Sequence, residues 1–324
     1  MVEILSLENA VETIGLTKSY GKSAALDDLN IKVKPGEILV LLGPNGSGKT
    51  TLLHLLSTVL KPTKGTAKIL GYDIVKQPLK VREEIGISFQ EPRGFWRHKP
   101  YSILSFHAAI YGLTGGEKKR VVDETLNGFD LWSSRNKRFM ELSGGQAKRL
   151  EVAKLFVHRP RVAVFDEPTA MVDLEGKRMI WDKIRGLREA GSTIIVATNE
   201  VREAEYLADR LSIMKLGKEV VTENLRVLKD SISGGDVVEV EFSAPVTSEV
   251  SRAILGLPGT VRVTAETENG IKAFVNRSED WLPEMMSLVH NLQTKVTSLR
   301  VSEPSLDDVF LHYTEDVVAG KQNA

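Results

Sequence analysis

Residues 43–51 read Gly43-Pro44-Asn45-Gly46-Ser47-Gly48-Lys49-Thr50-Thr51, which satisfies the spacing G-x-x-x-x-G-K-[ST]. Glycines at this density let successive backbone N–H groups close around phosphate oxygens. The helix that follows adds favourable partial charge at its N-terminus. In such a loop Lys49 reaches the β- and γ-phosphates and the Thr50 hydroxyl ligates Mg²⁺. A second cluster, Val162-Ala163-Val164-Phe165-Asp166-Glu167-Pro168, is an apolar strand ending in two carboxylates. Asp166 suits the metal, and Glu167 suits a water that it orients or deprotonates. Alone, a strand ending in Asp-Glu is a common solvated strand end; beside a complete phosphate loop it reads as nucleotide chemistry. ATP and Mg²⁺ are the expected cofactors.

Between the two clusters lies Leu142-Ser143-Gly144-Gly145-Gln146, which resembles the signature of the ATP-binding cassette family. Its chemistry is again that of a helix N-terminus, with the Ser143 hydroxyl and the glycine N–H groups offered to a γ-phosphate. Other positions match the family pattern in order. Tyr20 stands where an aromatic ring stacks on adenine, and Gln90 where a glutamine reaches metal and water. Asp173 stands as the aspartate of the loop that crosses to a second subunit. The resemblance spans roughly residues 10–225. It implies a P-loop α/β fold with a parallel sheet core, an antiparallel β subdomain and a helical subdomain. It further implies two such domains packed head to tail, each ATP lying between one chain's phosphate loop and the other's signature. This chain has one phosphate loop and one signature, so the resemblance implies a dimer, of identical or different chains. By the same analogy, ATP closes the dimer, hydrolysis opens it, and the motion drives an integral-membrane permease. The tail, Pro304 to Asp316, resembles the C-terminal extension of drug- and antibiotic-exporter ATPases, which are separate subunits paired with a membrane permease. A place on the cytoplasmic face of the cell membrane follows from that resemblance.

Two positions depart from the family pattern. Asn199 follows the apolar run Thr193 to Thr198, where members usually carry His in contact with the γ-phosphate. Asn keeps an amide donor but is shorter and never cationic. Losing a donor aimed at developing charge costs on the order of 10²–10³ in rate, and a partial loss is expected here because Glu167 is intact. The crossing loop reads Ala170-Met171-Val172-Asp173 where the family usually has Ser-Gly-Leu-Asp. Asn199 leaves open a second reading, a mainly ATP-binding subunit that pairs with a more competent chain. A third class, ribosome- or DNA-acting cassettes, normally carries two cassettes or a long coiled-coil insertion, and neither is present.

The elements that must hold these residues are legible. Ile38 to Leu42 is a continuous apolar run, expected of a strand buried on both faces just before the phosphate loop. Strands alternating with helices through residue 215 indicate a parallel α/β core. Between Gln90 and Ser143 the pattern is mostly helical, a separate lobe. It opens on a basic-aromatic stretch, Arg93 to Ser102, expected to contribute to the permease contact. Near Leu228 to Asp236 the pattern changes to strand–helix–strand–strand–helix–strand, the split βαβ order of ferredoxin-like domains. The expected division is an ATPase domain over residues 1–230 and a small α+β accessory domain over 236–324. A length of 324 residues accommodates both.

Composition excludes several classes. Lys+Arg and Asp+Glu are both 43, so no global charge points to nucleic acid, and none is expected as a partner. From Asp236 onward, however, acidic residues outnumber basic ones two to one. There is no cysteine, which removes disulfides, thiolate chemistry and cysteine zinc sites. The first 14 residues hold three Glu and no Lys or Arg, so no secretory signal is expected there. No apolar run approaches the ~18 residues that span a bilayer.

Overall fold

The computed structural model describes residues 7–94, 96–232, 235–292 and 294–319, and no side chains at 265–266 or 315–319. Phe95 of the basic-aromatic stretch and residues 233–234 of the pattern change lie outside the described residues. The chain falls into two compact units, Met1–Asn224 and Leu225–Ala324.

The first unit begins with β1 (Val11–Tyr20), β2 (Ser23–Leu29), β3 (Lys32–Val33) and β4 (Ile38–Leu42). Then come α1 (Lys49–Leu56), β5 (Lys64–Ile69), β6 (Tyr72–Asp73), α2 (Pro78–Glu84) and β7 (Ile85–Ser88). α3 (Pro100–Ile110), α4 (Gly115–Gly128) and α5 (Gly144–His158) form the helical stretch. The unit closes with β8 (Val162–Asp166), α6 (Leu174–Glu189), β9 (Thr193–Thr198), α7 (Val201–Leu207), β10 (Arg210–Lys215) and β11 (Lys218–Glu223).

One sheet runs β11-β10-β4-β9-β8-β7, parallel except for the β10–β11 pair. Every residue of β4, β8 and β9 is buried, as continuous apolar runs require in a sheet covered on both faces. A second, antiparallel sheet runs β2-β1-β5-β6, with β3 paired to β1. The order matters for function. The phosphate loop leaves the carboxyl end of β4, Asp166 ends β8, and Asn199 and Gln90 follow β9 and β7 within two residues. Loops at the carboxyl ends of parallel strands open on one crevice, the usual ligand position in such sheets.

α3, α4 and α5 pack on one another as the separate lobe. Pro160 follows the end of α5, and Ala190 caps α6 with Gly191 just beyond it at φ 101, a left-handed position that glycine takes without strain. Where α3 meets α5, the rings of Tyr111 and His158 stack at 3.7 Å with 4° between planes. Burial pushes His158 down to about 4; its contact with Lys154 O opposes this, and nearby His107 adds to it. The unfolded chain protonates His158 near 6.5 and the folded chain does not, so stability is present above that pH and is lost as pH falls toward 4. About 2 kcal/mol is expected to disappear between pH 7.5 and 5 at 1.36 kcal/mol per pKa unit. His158→Phe, which keeps the stack, should remove that share of the shift in urea midpoint.

The second unit holds α8 (Leu225–Asp230), β12 (Asp236–Phe242), α9 (Ser248–Leu255) and β13 (Thr260–Thr267). β14 (Gly270–Val275), α10 (Ser278–Asn291), β15 (Val296–Ser302) and α11 (Leu306–Ala319) complete it. Its sheet runs β13-β14-β12-β15, antiparallel throughout, which is the ferredoxin-like order expected from the alternation of elements. Alternate residues Val238, Val240, Phe242, Ile271, Ala273 and Val275 are buried in one core with Trp281 and Met285 of α10. Ser305 and Asp308 form the expected capping pair at the start of α11, and α8 packs on α11.

Candidate active site

The phosphate loop is tight enough to demand its glycines at two places. A Cβ on Gly43 would stand 2.4 Å from Met214 O. At Gly48, φ is 102 and a Cβ would stand 2.6 Å from Ala25 O, so only glycine fits ahead of α1. Lys49, 5% exposed, donates to Gly43 O at 2.6 Å and Pro44 O at 3.1 Å. Burial pushes its ammonium below the usual lysine range, and Glu167 and Asp166 oppose the shift.

One hydrogen bond joins this loop to the carboxylates, and a second joins them to the segment after β7. Thr50 Oγ1 donates to Asp166 Oδ1 at 3.2 Å, and Gln90 Nε2 donates to Glu167 Oε2 at 3.1 Å. Asp166 is 1% exposed, and its Oδ2 accepts no hydrogen bond. Burial raises the Asp166 pKa, the Thr50 bond opposing and the Glu167 charge adding. A buried carboxylate oxygen without a donor, beside a threonine hydroxyl, fits a divalent cation. Glu167 sits in the left-handed region at φ 46, its N–H donating to Ala197 O at 2.8 Å. Asn45 through Thr51, Gln90 and Glu167 line, with Ala25, a cleft of about 260 Å³. Asn199 lies across from the loop, its Nδ2 at 3.5 Å from Asn45 Oδ1.

The other expected residues stand outside this cleft. Ser143 caps α5 by accepting from Gln146 N at 3.2 Å, while Gln146 Oε1 accepts in return from Ser143 N. Ser143 and Gly144 are exposed and line no part of the cleft, as are Asp173 and Tyr20. Asp173 caps α6 through Gly176 N, and Lys18 Nζ lies 5.2 Å from the Tyr20 ring centroid. Met171, 70% exposed, adopts φ 63 where the family glycine would be free of strain. Met171→Gly is therefore expected to raise stability by up to about 1 kcal/mol, read as an upward shift of the denaturation midpoint.

Sequence reasoning missed four charged residues buried around the site. Lys148, Glu151 and Lys154, all on α5, are 0%, 2% and 7% exposed. Burial pushes Lys148 down to about 8, against the pull of Glu151, Asp166, Glu167 and Glu203. Glu203 of α7 accepts from Thr169 Oγ1 and Trp181 Nε1, each at 2.8 Å. Burial raises its pKa, and hydrogen bonds from Thr198, Trp181 and Thr169 oppose that. The available signal was in α5 itself. Leu150, Val152, Ala153, Leu155 and Val157 are buried around the helix, which leaves no polar face for the charges between them.

A parallel sheet, a glycine loop capping a helix, and a carboxylate-bearing strand end beside it define a P-loop nucleotide-binding protein. Residues 26–170 match the ABC transporter family, and residues 224–314 match the C-terminal domain of DrrA1-3-like ATP-binding proteins. The chain is 32% identical to the daunorubicin resistance ATP-binding protein DrrA3 of Streptomyces coeruleorubidus, over 95% of this chain and 97% of that protein. It is 31% identical to the daunorubicin/doxorubicin resistance ATP-binding protein DrrA of Streptomyces peucetius, over 94% and 92%. A dimeric ATP-binding cassette in a post-hydrolysis state bound to ADP and Pi superposes with TM-score 0.63 at 27% identity, covering 67% of this chain and 99% of that one. The chain belongs to the ABC transporter family, as one of its ATP-binding subunits.

Proposed function

We propose that the chain is the ATP-hydrolysing subunit of an exporter, closing as a dimer on ATP and driving a separate membrane permease. The observation that carries this reading is the pairing of Thr50 with Asp166 and of Gln90 with Glu167 at the rim of the phosphate loop. Lys49 and the loop N–H groups would bind the β- and γ-phosphates, and Tyr20 would stack on adenine. Thr50, Asp166 and Gln90 would hold Mg²⁺, which supplies charge neutralisation at the phosphates when bound. Glu167 orients the attacking water and takes its proton, and Gln90 fixes the carboxylate that does so. Asn199 offers an amide donor toward the γ-phosphate.

Ser143, Gly144 and Asp173 are exposed and Gly145 is half-buried, which supports their use by a second chain's nucleotide. The relatives named for drug resistance support export, and the α+β unit is read as the accessory domain of that exporter type. Among the described residues no helix is long and apolar enough to cross a membrane, so attachment to the cytoplasmic face is assigned to the permease. Its contact is assigned to a groove of about 810 Å³ lined by Phe89, Arg93, His98, Ser102 and Phe106, among others. Three of these, Arg93, His98 and Ser102, belong to the basic-aromatic stretch. Unchanged co-purification of the permease after charge reversal at Arg93 and Arg97 would contradict that contact.

Dimer closure is tested by light scattering on Glu167→Gln. Mg-ATP is expected to double its mass, and adding Ser143→Arg should abolish the change. A mass that ignores ATP would contradict the composite site. A mainly ATP-binding role beside a more competent chain is the second reading, favoured by Asn199 alone.

A further inference from the structure

We propose that Lys148 is a positioning residue for Gln90, holding the backbone from which that side chain reaches Glu167; the assignment rests on the role given to Gln90 above. Lys148 lies on the second turn of α5, the helix whose N-terminus Ser143 caps, and it is fully buried. Its ammonium has three donors and three backbone acceptors: Gln90 O at 2.8 Å, Phe89 O at 2.9 Å and Asp166 O at 3.1 Å. Two of those peptide groups belong to site residues: the Gln90 side chain bonds Glu167, and the Asp166 side chain bonds Thr50 of the phosphate loop. Lys148 lines no part of the cleft, so it acts on the site only through them.

Further along the same face, Glu151 and Lys154 extend the grip. Glu151 accepts from Arg93 N at 2.8 Å and Phe89 N at 3.4 Å. Lys154 donates to Arg93 O and to Glu151 Oε2. Three charged residues spaced i, i+3 and i+6 thus seize residues 89–93 from one side. An apolar residue at 148 would avoid the cost of burying an ammonium, and buried ionic groups are weak contributors to net stability. What Lys148 supplies instead is a fixed meeting point for three carbonyls. The signature helix and the Gln90 segment are thereby tied into one body, so a shift of α5 carries Gln90 with it.

The test is a double-mutant cycle on steady-state Mg-ATP turnover with Lys148→Met and Gln90→Ala. Lys148→Met is expected to lower kcat by about 10-fold or more, since small misplacements of catalytic groups are costly, with KM for ATP within about twofold. The double variant should be no slower than Gln90→Ala alone. An unchanged kcat, a KM that rises in step with the fall in kcat, or effects that multiply would overturn the proposal. Lys148→Gln, which keeps two donors, is expected to recover part of the loss, and it carries the test if Lys148→Met does not fold. If wild type turns over no faster than Glu167→Gln, the hydrolysis reading has failed and the Mg²⁺ requirement for stabilisation by ATP is measured instead. Lys148→Met and Gln90→Ala should then raise that requirement alike, and the pair no further. A Mg²⁺ requirement unmoved by Lys148→Met would overturn the positioning role independently.

Discussion

Replacing Asn199 by His is expected to raise ATP turnover by about 10- to 100-fold. Donors aimed at charge that develops in the transition state are worth on the order of 10²–10³ in rate, and Asn199 is expected to retain part of that value through its amide. Asn199 Nδ2 reaches Asn45 Oδ1 only at 3.5 Å, a long contact across the mouth of the loop. An imidazole carries its donor further from the backbone, and as imidazolium it adds positive charge. The gain should appear in kcat and leave KM nearly unchanged, because the interaction strengthens as the γ-phosphate departs. A variant that turns over no faster would mean that Asn199 already serves fully, through a bridging water for instance.

Lys49→Ala is expected to weaken Mg-ATP binding by about 10²- to 10⁴-fold, since each hydrogen bond to a charged group is worth ~1.5–3 kcal/mol and the proposed role of Lys49 is to serve two phosphates. The lysine is nearly desolvated before any ligand arrives, held by Gly43 O and Pro44 O. An ammonium whose hydration is already lost gives up little on exchanging those carbonyls for phosphate oxygens. Titration with a fluorescent ATP analogue measures the effect. Affinity within threefold of wild type would show that the loop N–H groups carry the binding alone.

Much of this is legible in the sequence. The phosphate loop and the strand ending in Asp166 and Glu167 are local patterns whose chemistry follows from residue type and spacing, and the signature is legible through the family resemblance. The ferredoxin-like order of the second unit was legible because its strands alternate cleanly and Glu268-Asn269 makes a two-residue turn. Buried charge was not. The apolar residues all round α5 leave Lys148, Glu151 and Lys154 no polar face, but they do not reveal the partners, most of which are peptide groups roughly 60 residues earlier in the chain. Glu203 gives no hint of Thr169 and Trp181, side chains 34 and 22 residues earlier that only the fold brings to it. At Met171 the substitution was visible, but its positive φ was not, since backbone conformation there is set by the turn between Glu167 and α6.

The central claim, that this chain hydrolyses ATP with Glu167 as its base, is tested most directly by steady-state Mg-ATP hydrolysis of purified wild type against Glu167→Gln. Removing a general base costs about 10²- to 10⁴-fold, so wild type should exceed the variant by at least two orders of magnitude. Equal rates, with both proteins folded and binding ATP, would contradict the account and leave an ATP-binding subunit that depends on a more competent partner.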